Sequence, residues 1–196
     1  MRLDLKLIEQ WINPESRVLD LGCGDGTLLL HLKNKQNVNG LGLEIDAANI
    51  SKGIASGINI IEQNMDRGLS NFPDHSFDTV VLAHALQAVH NPHLVLEEML
   101  RIGHEGIVTF PNFGHWACRL HLGTRGRMPV SKFMPFAWYE TPNIHFCTVK
   151  DFEDLCAEKS IRILNRAMVS QSSNKSRLAN KWSNLFASTA IYRITK

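Results

Sequence analysis

The chain has few cysteines, no block of charge of one sign and no long apolar run, and each shortage removes a class of protein. Its 196 residues include four cysteines, Cys23, Cys118, Cys147 and Cys156. None belongs to a C-x-x-C pair or has a histidine at zinc-finger spacing, which argues for reduced thiols in a cytoplasmic protein and against a metal site. Lys and Arg number 21 against 19 Asp and Glu, a formal balance of +2. That balance points to neither a nucleic-acid partner nor a membrane surface. No stretch approaches the roughly 20 apolar residues that span a bilayer. Met1-Arg2-Leu3-Asp4 opens an amphipathic segment with charges at Asp4, Lys6 and Glu9, where a signal peptide would have an apolar core. The expected location is the cytoplasm. With 44% hydrophobic residues, a chain of this length buries one substantial core, so one domain over residues 1–196 is expected.

What is present is an alternation of strand and helix patterns. A helix is expected over Leu3 to Ile12, stopped by Asn13-Pro14, then a strand over Arg17 to Leu21 and a helix through Leu28 to Lys33. Val38 to Glu44, Ile58 to Glu62, Phe77 to Leu82 and Gly106 to Phe110 read as further strands. Between them lie helices over Ala47 to Ala55 and Leu94 to Ile102, the latter entered at Pro92 and stopped at Gly103. The sequence therefore predicts an α/β fold with a doubly wound, mostly parallel sheet.

The first strand ends in Asp20-Leu21-Gly22-Cys23-Gly24-Asp25-Gly26-Thr27. Alternating glycines leave the backbone bare at a sharp bend, and a helix starting near Thr27 turns its N–H groups toward a docked ligand. The dinucleotide fingerprint G-x-G-x-x-G would place its third glycine at Thr27, so nicotinamide and flavin cofactors are disfavoured. The loop instead resembles the first motif of class I S-adenosylmethionine-dependent methyltransferases. In that family an acid at the end of the second strand accepts both ribose hydroxyls. Glu44, 22 residues beyond Gly22, has that position, and Asp46 reads as the cap of the following helix. Where the family carries an acid for the adenine amino group, this chain has Asn64, with Asp66 as the alternative acceptor. The resemblance thus implies a site for S-adenosylmethionine or S-adenosylhomocysteine made by Asp20, Gly22, Cys23, Gly24, Gly26, Glu44, Ile45, Asn64 and Met65.

From Pro111 to Cys147 the alternation lapses, in a stretch longer than most structureless connections. Eight of the fifteen aromatic residues lie between Phe110 and Phe146, interleaved with Arg119, Arg125, Arg127 and Lys132. The segment reads as an insert after strand five that folds over the ligand edge. It serves either as a lid or core element, or as a partner surface. Thr148-Val149-Lys150-Asp151 resembles a capping box for a helix to about Lys159. A strand over Arg162 to Val169 follows, then a polar connection from Ser170 to Ser176 and a last strand over Ala187 to Ile194, antiparallel at the sheet edge.

Phe110-Pro111-Asn112-Phe113-Gly114-His115-Trp116, Gly126-Arg127-Met128-Pro129-Val130 and Trp138-Tyr139-Glu140-Thr141-Pro142-Asn143-Ile144-His145 are strings that generic methyltransferases lack. With Asp74-His75-Ser76-Phe77-Asp78 and Leu86-Gln87-Ala88-Val89 they are similar to the MetW family of methionine biosynthesis, over roughly residues 1 to 169. The resemblance implies seven strands in a Rossmann-like methyltransferase fold, and a role beside a homoserine O-acyltransferase. After strand four the chain reads Leu82-Ala83-His84-Ala85-Leu86 in place of an N/D-P-P-Y/F motif, which disfavours methylation of adenine or amide nitrogen. Two candidate catalytic residues remain: His84, either a base or a hydrogen-bonded structural residue, and His115, either a pocket wall or a packing group. Two functions stay open, an accessory protein that binds S-adenosylmethionine and a small-molecule methyltransferase.

Overall fold

Apolar residues of the central strands alternate between the two faces of one sheet, and helices cover both. The computed structural model describes residues 3–131, 134–170 and 182–196. Its elements run α1 (Leu3–Glu9), β1 (Arg17–Leu21), α2 (Thr27–Gln36), β2 (Asn39–Glu44), α3 (Ala47–Ala55), β3 (Asn59–Glu62), a 3₁₀ turn (Met65–Arg67) and β4 (Phe77–Ala83). They continue as α4 (Pro92–Ile102), β5 (Gly103–Pro111), α5 (Trp116–Arg125), α6 (Val149–Glu158), β6 (Arg162–Val169), α7 (Ser183–Phe186) and β7 (Thr189–Thr195). The strand order is β3-β2-β1-β4-β5-β7-β6. The first five strands are parallel, and β7 runs antiparallel to both neighbours.

Residues one apart on a strand divide between two cores. Leu19, Leu21, Val80, Leu82, Val108 and Phe110 pack beneath α4 and α6 with Leu96, Met99 and Phe152. Val18, Val81, Ile107 and Ile191 face the other way, toward Ile8 of α1 and Leu28, Leu29 and Leu32 of α2. On the first face Phe110, Phe152 and Tyr192 form a ring cluster with centroids 4.7–6.0 Å apart, which ties α6 to β5 and β7. The Tyr192 hydroxyl donates to Glu153 Oε1 at 2.8 Å, so its polar end is satisfied although the residue is buried.

Several expectations need correction. The last strand is antiparallel as expected, but it lies inside the sheet, and β6 forms the edge. Burial explains the order: Ala190, Ile191, Tyr192 and Ile194 are all fully buried, whereas β6 carries Arg162, Asn165 and Arg166 toward solvent. β5 begins at Gly103, which ends α4 and starts the strand in one residue at φ −112° and ψ 150°. α1 stops at Glu9, though Ile8 and Ile12 are both buried. Within 111–147 the chain forms the ten-residue helix α5. Lys132, Phe133 and the polar connection from residue 171 onward lie outside the described residues.

Asn112, fully buried just beyond β5, joins three segments. Its Nδ2 donates to Ala187 O at 2.8 Å and Asn184 O at 3.2 Å, and its Oδ1 accepts from Gly114 N–H at 2.9 Å and Val149 N–H at 3.2 Å. One amide thereby fixes the exit of β5, the start of α6 and the approach to β7. Gln87 adds to this: its Nε2 donates to Pro111 O at 3.1 Å, and its main-chain carbonyl accepts from Ile144 and His145 N–H.

Both halves of the Thr148 capping box form. Thr148 Oγ1 accepts from Asp151 N–H at 3.3 Å and Asp151 Oδ2 accepts from Thr148 N–H at 2.8 Å. Thr148→Ala is expected to cost about 1 kcal/mol, read as a fall of roughly 2–4 °C in the unfolding midpoint.

Candidate functional site at the carboxyl edge of the sheet

Chain order reverses between β1 and β4, so a crevice opens where their carboxyl ends part company. The loop after β1 lies there. Gly22 has φ 71°, and a Cβ on it would stand 3.2 Å from Ala85 Cβ and 3.4 Å from Met65 Cε. Both conformation and space therefore require glycine. Gly22 and Cys23 N–H donate to Leu43 O at 2.8 and 3.0 Å, which lays the loop across the end of β2. Cys23 fits because Gly42 has no side chain: a Cβ there would overlap the Cys23 sulfur.

Glu44 completes the strap. Its Oε2 accepts from Gly24 N–H at 2.8 Å, and its Oε1 accepts from Ile45 N–H at 2.7 Å and Asp46 N–H at 3.0 Å. Each carboxylate oxygen can accept more than one bond, so acceptor capacity remains for ligand hydroxyls. Asp46 caps α3 as expected, accepting from Asn49 N–H at 2.8 Å. Asp25 occupies the Thr27 N–H at 3.1 Å, so that donor at the start of α2 is not free for a ligand.

Asp20 lies beneath the loop, 2% exposed. Its Oδ1 is buried with no hydrogen-bond partner. Burial, with the nearby Glu44 charge, pushes its pKa up to about 7. An orphaned carboxyl oxygen under a bare glycine loop fits a ligand that brings a cationic donor. The same surroundings push the Cys23 thiol up to about 12, which makes it an inert wall and not a nucleophile.

Both expected adenine acceptors already make bonds within the chain. Asn64 Oδ1 is engaged by Asp66 N–H at 2.9 Å as the cap of the 3₁₀ turn. Asp66 accepts from His90 N–H at 2.9 Å and contacts the His90 ring at 3.0 Å. Met65 reaches the glycine loop, while Ile45 is 64% exposed beside Glu44.

Next to the crevice is a cavity of about 560 Å³, whose wall includes Pro111, Phe113, Met134, Phe136, Trp138, Phe146 and Thr189. Asp4 and His84 also line it. His84 Nε2 and Asp4 Oδ2 are 2.8 Å apart. His84 holds a left-handed φ of 59°, unusual for a residue with a side chain, and its N–H bonds to Thr109. His84 adjoins Ala85, and Ala85 faces Gly22, so loop and cavity share a border. His115 is elsewhere. It caps α5, its Nδ1 accepting from Ala117 N–H at 3.3 Å, and burial lowers its pKa. Asp4 was not among the expected site residues, because its contact with His84 spans 80 positions and leaves no local pattern.

A family model described as methionine biosynthesis protein MetW matches residues 2–194. The chain belongs to the MetW family. A bifunctional methionine biosynthesis protein MetXA/MetW from Rhodopirellula baltica is 36% identical over 172 residues, which cover 83% of this chain and 28% of that protein. The MetW-family chain therefore corresponds to little more than a quarter of that relative. Among solved structures, a SAM-dependent methyltransferase from Archaeoglobus fulgidus shares the fold, with TM-score 0.70 and 15% identity over 98% of this chain and 91% of its own. The [4+2]-cyclase SpnF does so with TM-score 0.68 and 15% identity, over 98% and 80% of the two chains.

The buried Asp20 has a stability signature. Its folded pKa stands above the ordinary carboxylate value, so its contribution to stability is greatest at low pH and is lost as pH rises toward and through about 7. Without ligand, Asp20→Asn is expected to raise the unfolding midpoint relative to wild type by more at pH 8 than at pH 5.

Proposed function

We propose that this chain is a component of methionine biosynthesis that binds S-adenosylmethionine or S-adenosylhomocysteine and supports a homoserine O-acyltransferase. The observation that carries the ligand reading is the unpartnered Asp20 oxygen beneath the glycine loop, with the Glu44 carboxylate at the next strand end. The family membership and the fused MetXA/MetW relative support the pathway and the partner. On this reading Asp20 and the loop of Gly22, Cys23, Gly24 and Gly26 hold the amino-acid end of the ligand. Glu44 accepts the ribose hydroxyls, and Ile45 and Met65 pack on the base. Asn64 serves the adenine amino group through the second lone pair of its oxygen, the first being used to cap the 3₁₀ turn. Because the ligand is made from methionine, its binding would report pathway output to the partner, with a coupling free energy that acts equally in both directions. On this reading the protein works in the cytoplasm as one domain and needs no metal for the role.

Calorimetric titration tests the ligand reading. Glu44→Ala removes a charge-assisted acceptor worth about 1.5–3 kcal/mol, so affinity for S-adenosylmethionine is expected to fall at least about tenfold. Unchanged affinity would reject the assigned site.

The Asp4–His84 pair beside an aromatic cavity favours a second reading, a methyltransferase acting on a small molecule. The bound sulfonium would supply an electrophilic methyl group. Asp4 would orient the His84 ring through Nε2, leaving the other nitrogen to take a proton from an acceptor held among Phe113, Phe136 and Trp138. Labelled S-adenosylmethionine in cell extract should then pass label to a small product, and His84→Asn should slow transfer by about 100-fold or more. Tight binding with no transfer would rule this reading out.

A further inference from the structure

The helix α5 buries one side chain, Cys118, out of ten residues. A ten-residue helix gains little stability by itself in water, so such a face calls for a cover. Trp116 is 47% exposed, Leu120 56% and nearby Val130 58%. Trp116 and Leu120, four residues apart, share one side of the helix. Between the C-terminal half of the helix and the turn after it, a groove of about 520 Å³ is lined by His121, Arg125, Arg127, Met128 and Val130.

Charge around this face is one-sided. Although acids and bases nearly balance over the whole chain, residues 106–139 contain no Asp or Glu and include Arg119, Arg125, Arg127 and Lys132. Four arginines elsewhere are neutralised, Arg17 by Asp78, Arg101 by Asp74 and Glu98, Arg166 by Glu153, and Arg193 by Glu105, whereas Arg67 and Arg162 stand singly on other elements. Arg125 and Arg127 form no ion pair with any described residue. Exposed Trp and Arg next to aliphatic side chains are the composition of a protein-binding centre. Nucleic acid would leave Leu120, Leu122 and Val130 unburied.

We propose that α5 and the turn through Val130 form the docking surface for the homoserine O-acyltransferase, whose complementary face is apolar at its centre and acidic at its rim. This rests on the partner assigned under the proposed function. The fused relative supports that occupant, because one chain holding both parts keeps them at a high effective concentration and fixed ratio. Trp116 and Leu120 fill the apolar centre, while Arg125 and Arg127 steer the approach and make affinity salt-dependent.

The test measures binding of purified homoserine O-acyltransferase from the same organism to the immobilised full chain. Saturable binding by wild type is expected. Leu120→Glu and the pair Arg125→Glu with Arg127→Glu should each weaken it at least tenfold, Lys52→Glu on α3 should not, and all variants should keep the wild-type unfolding midpoint. Wild-type binding that survives both face changes would overturn this surface while leaving the proposed function standing. No binding by wild type would overturn both. Self-association of the chain, or retention of a single-stranded oligonucleotide, that the same substitutions abolish would assign the face to another occupant and overturn the proposal.

Discussion

The site depends on one carboxylate. Glu44 gathers the N–H groups of Gly24, Ile45 and Asp46, and so binds the loop after β1 to the end of β2. Backbone bends with left-handed glycines are entropically costly to order. Here three charge-assisted bonds to one side chain, with two more from Gly22 and Cys23 to Leu43, offset that cost locally. The same arrangement closes over Asp20 and removes it from water. Order in the loop and the raised pKa of the acid beneath it therefore have a common cause.

A second constraint operates on the other side of the switch point. Asn112 and Gln87 are short polar side chains buried where loops meet, and their amides replace the ladder bonds that β5 loses as it leaves the sheet. They hold the segment after β5 against α6 and β7, which places Phe113 and Phe146 at the cavity and frees α5 to stand away from the core. The cavity lies beside the loop because His84 and Ala85 are adjacent in sequence at the end of β4.

The glycine loop, Glu44, the helix cap at Asp46 and the capping box at Thr148 were legible in the sequence because each has a local cause: a bend, a strand end, a helix start. The five parallel strands were legible from apolar runs for the same reason. The position of β7 was not, since nothing within Thr189–Thr195 states which edge it pairs with; only comparison of its burial with that of β6 decides it. The cap that Asn64 makes was less legible: the 3₁₀ turn that follows uses one lone pair of its oxygen and leaves the other. Asp4 was not legible as a partner of His84, as a contact across 80 positions has no local sequence signature.

On the proposed reading the buried Asp20 carboxyl is mostly protonated below neutrality and ionises when a cationic ligand binds. Calorimetry of S-adenosylmethionine binding at pH 6, repeated in buffers of different ionisation enthalpy, measures the protons exchanged. With the Asp20 pKa near 7, wild type should release close to one proton on binding as the carboxyl ionises against the ligand, and Asp20→Asn should not. Binding with no proton release, or the same release from Asp20→Asn, would contradict the account.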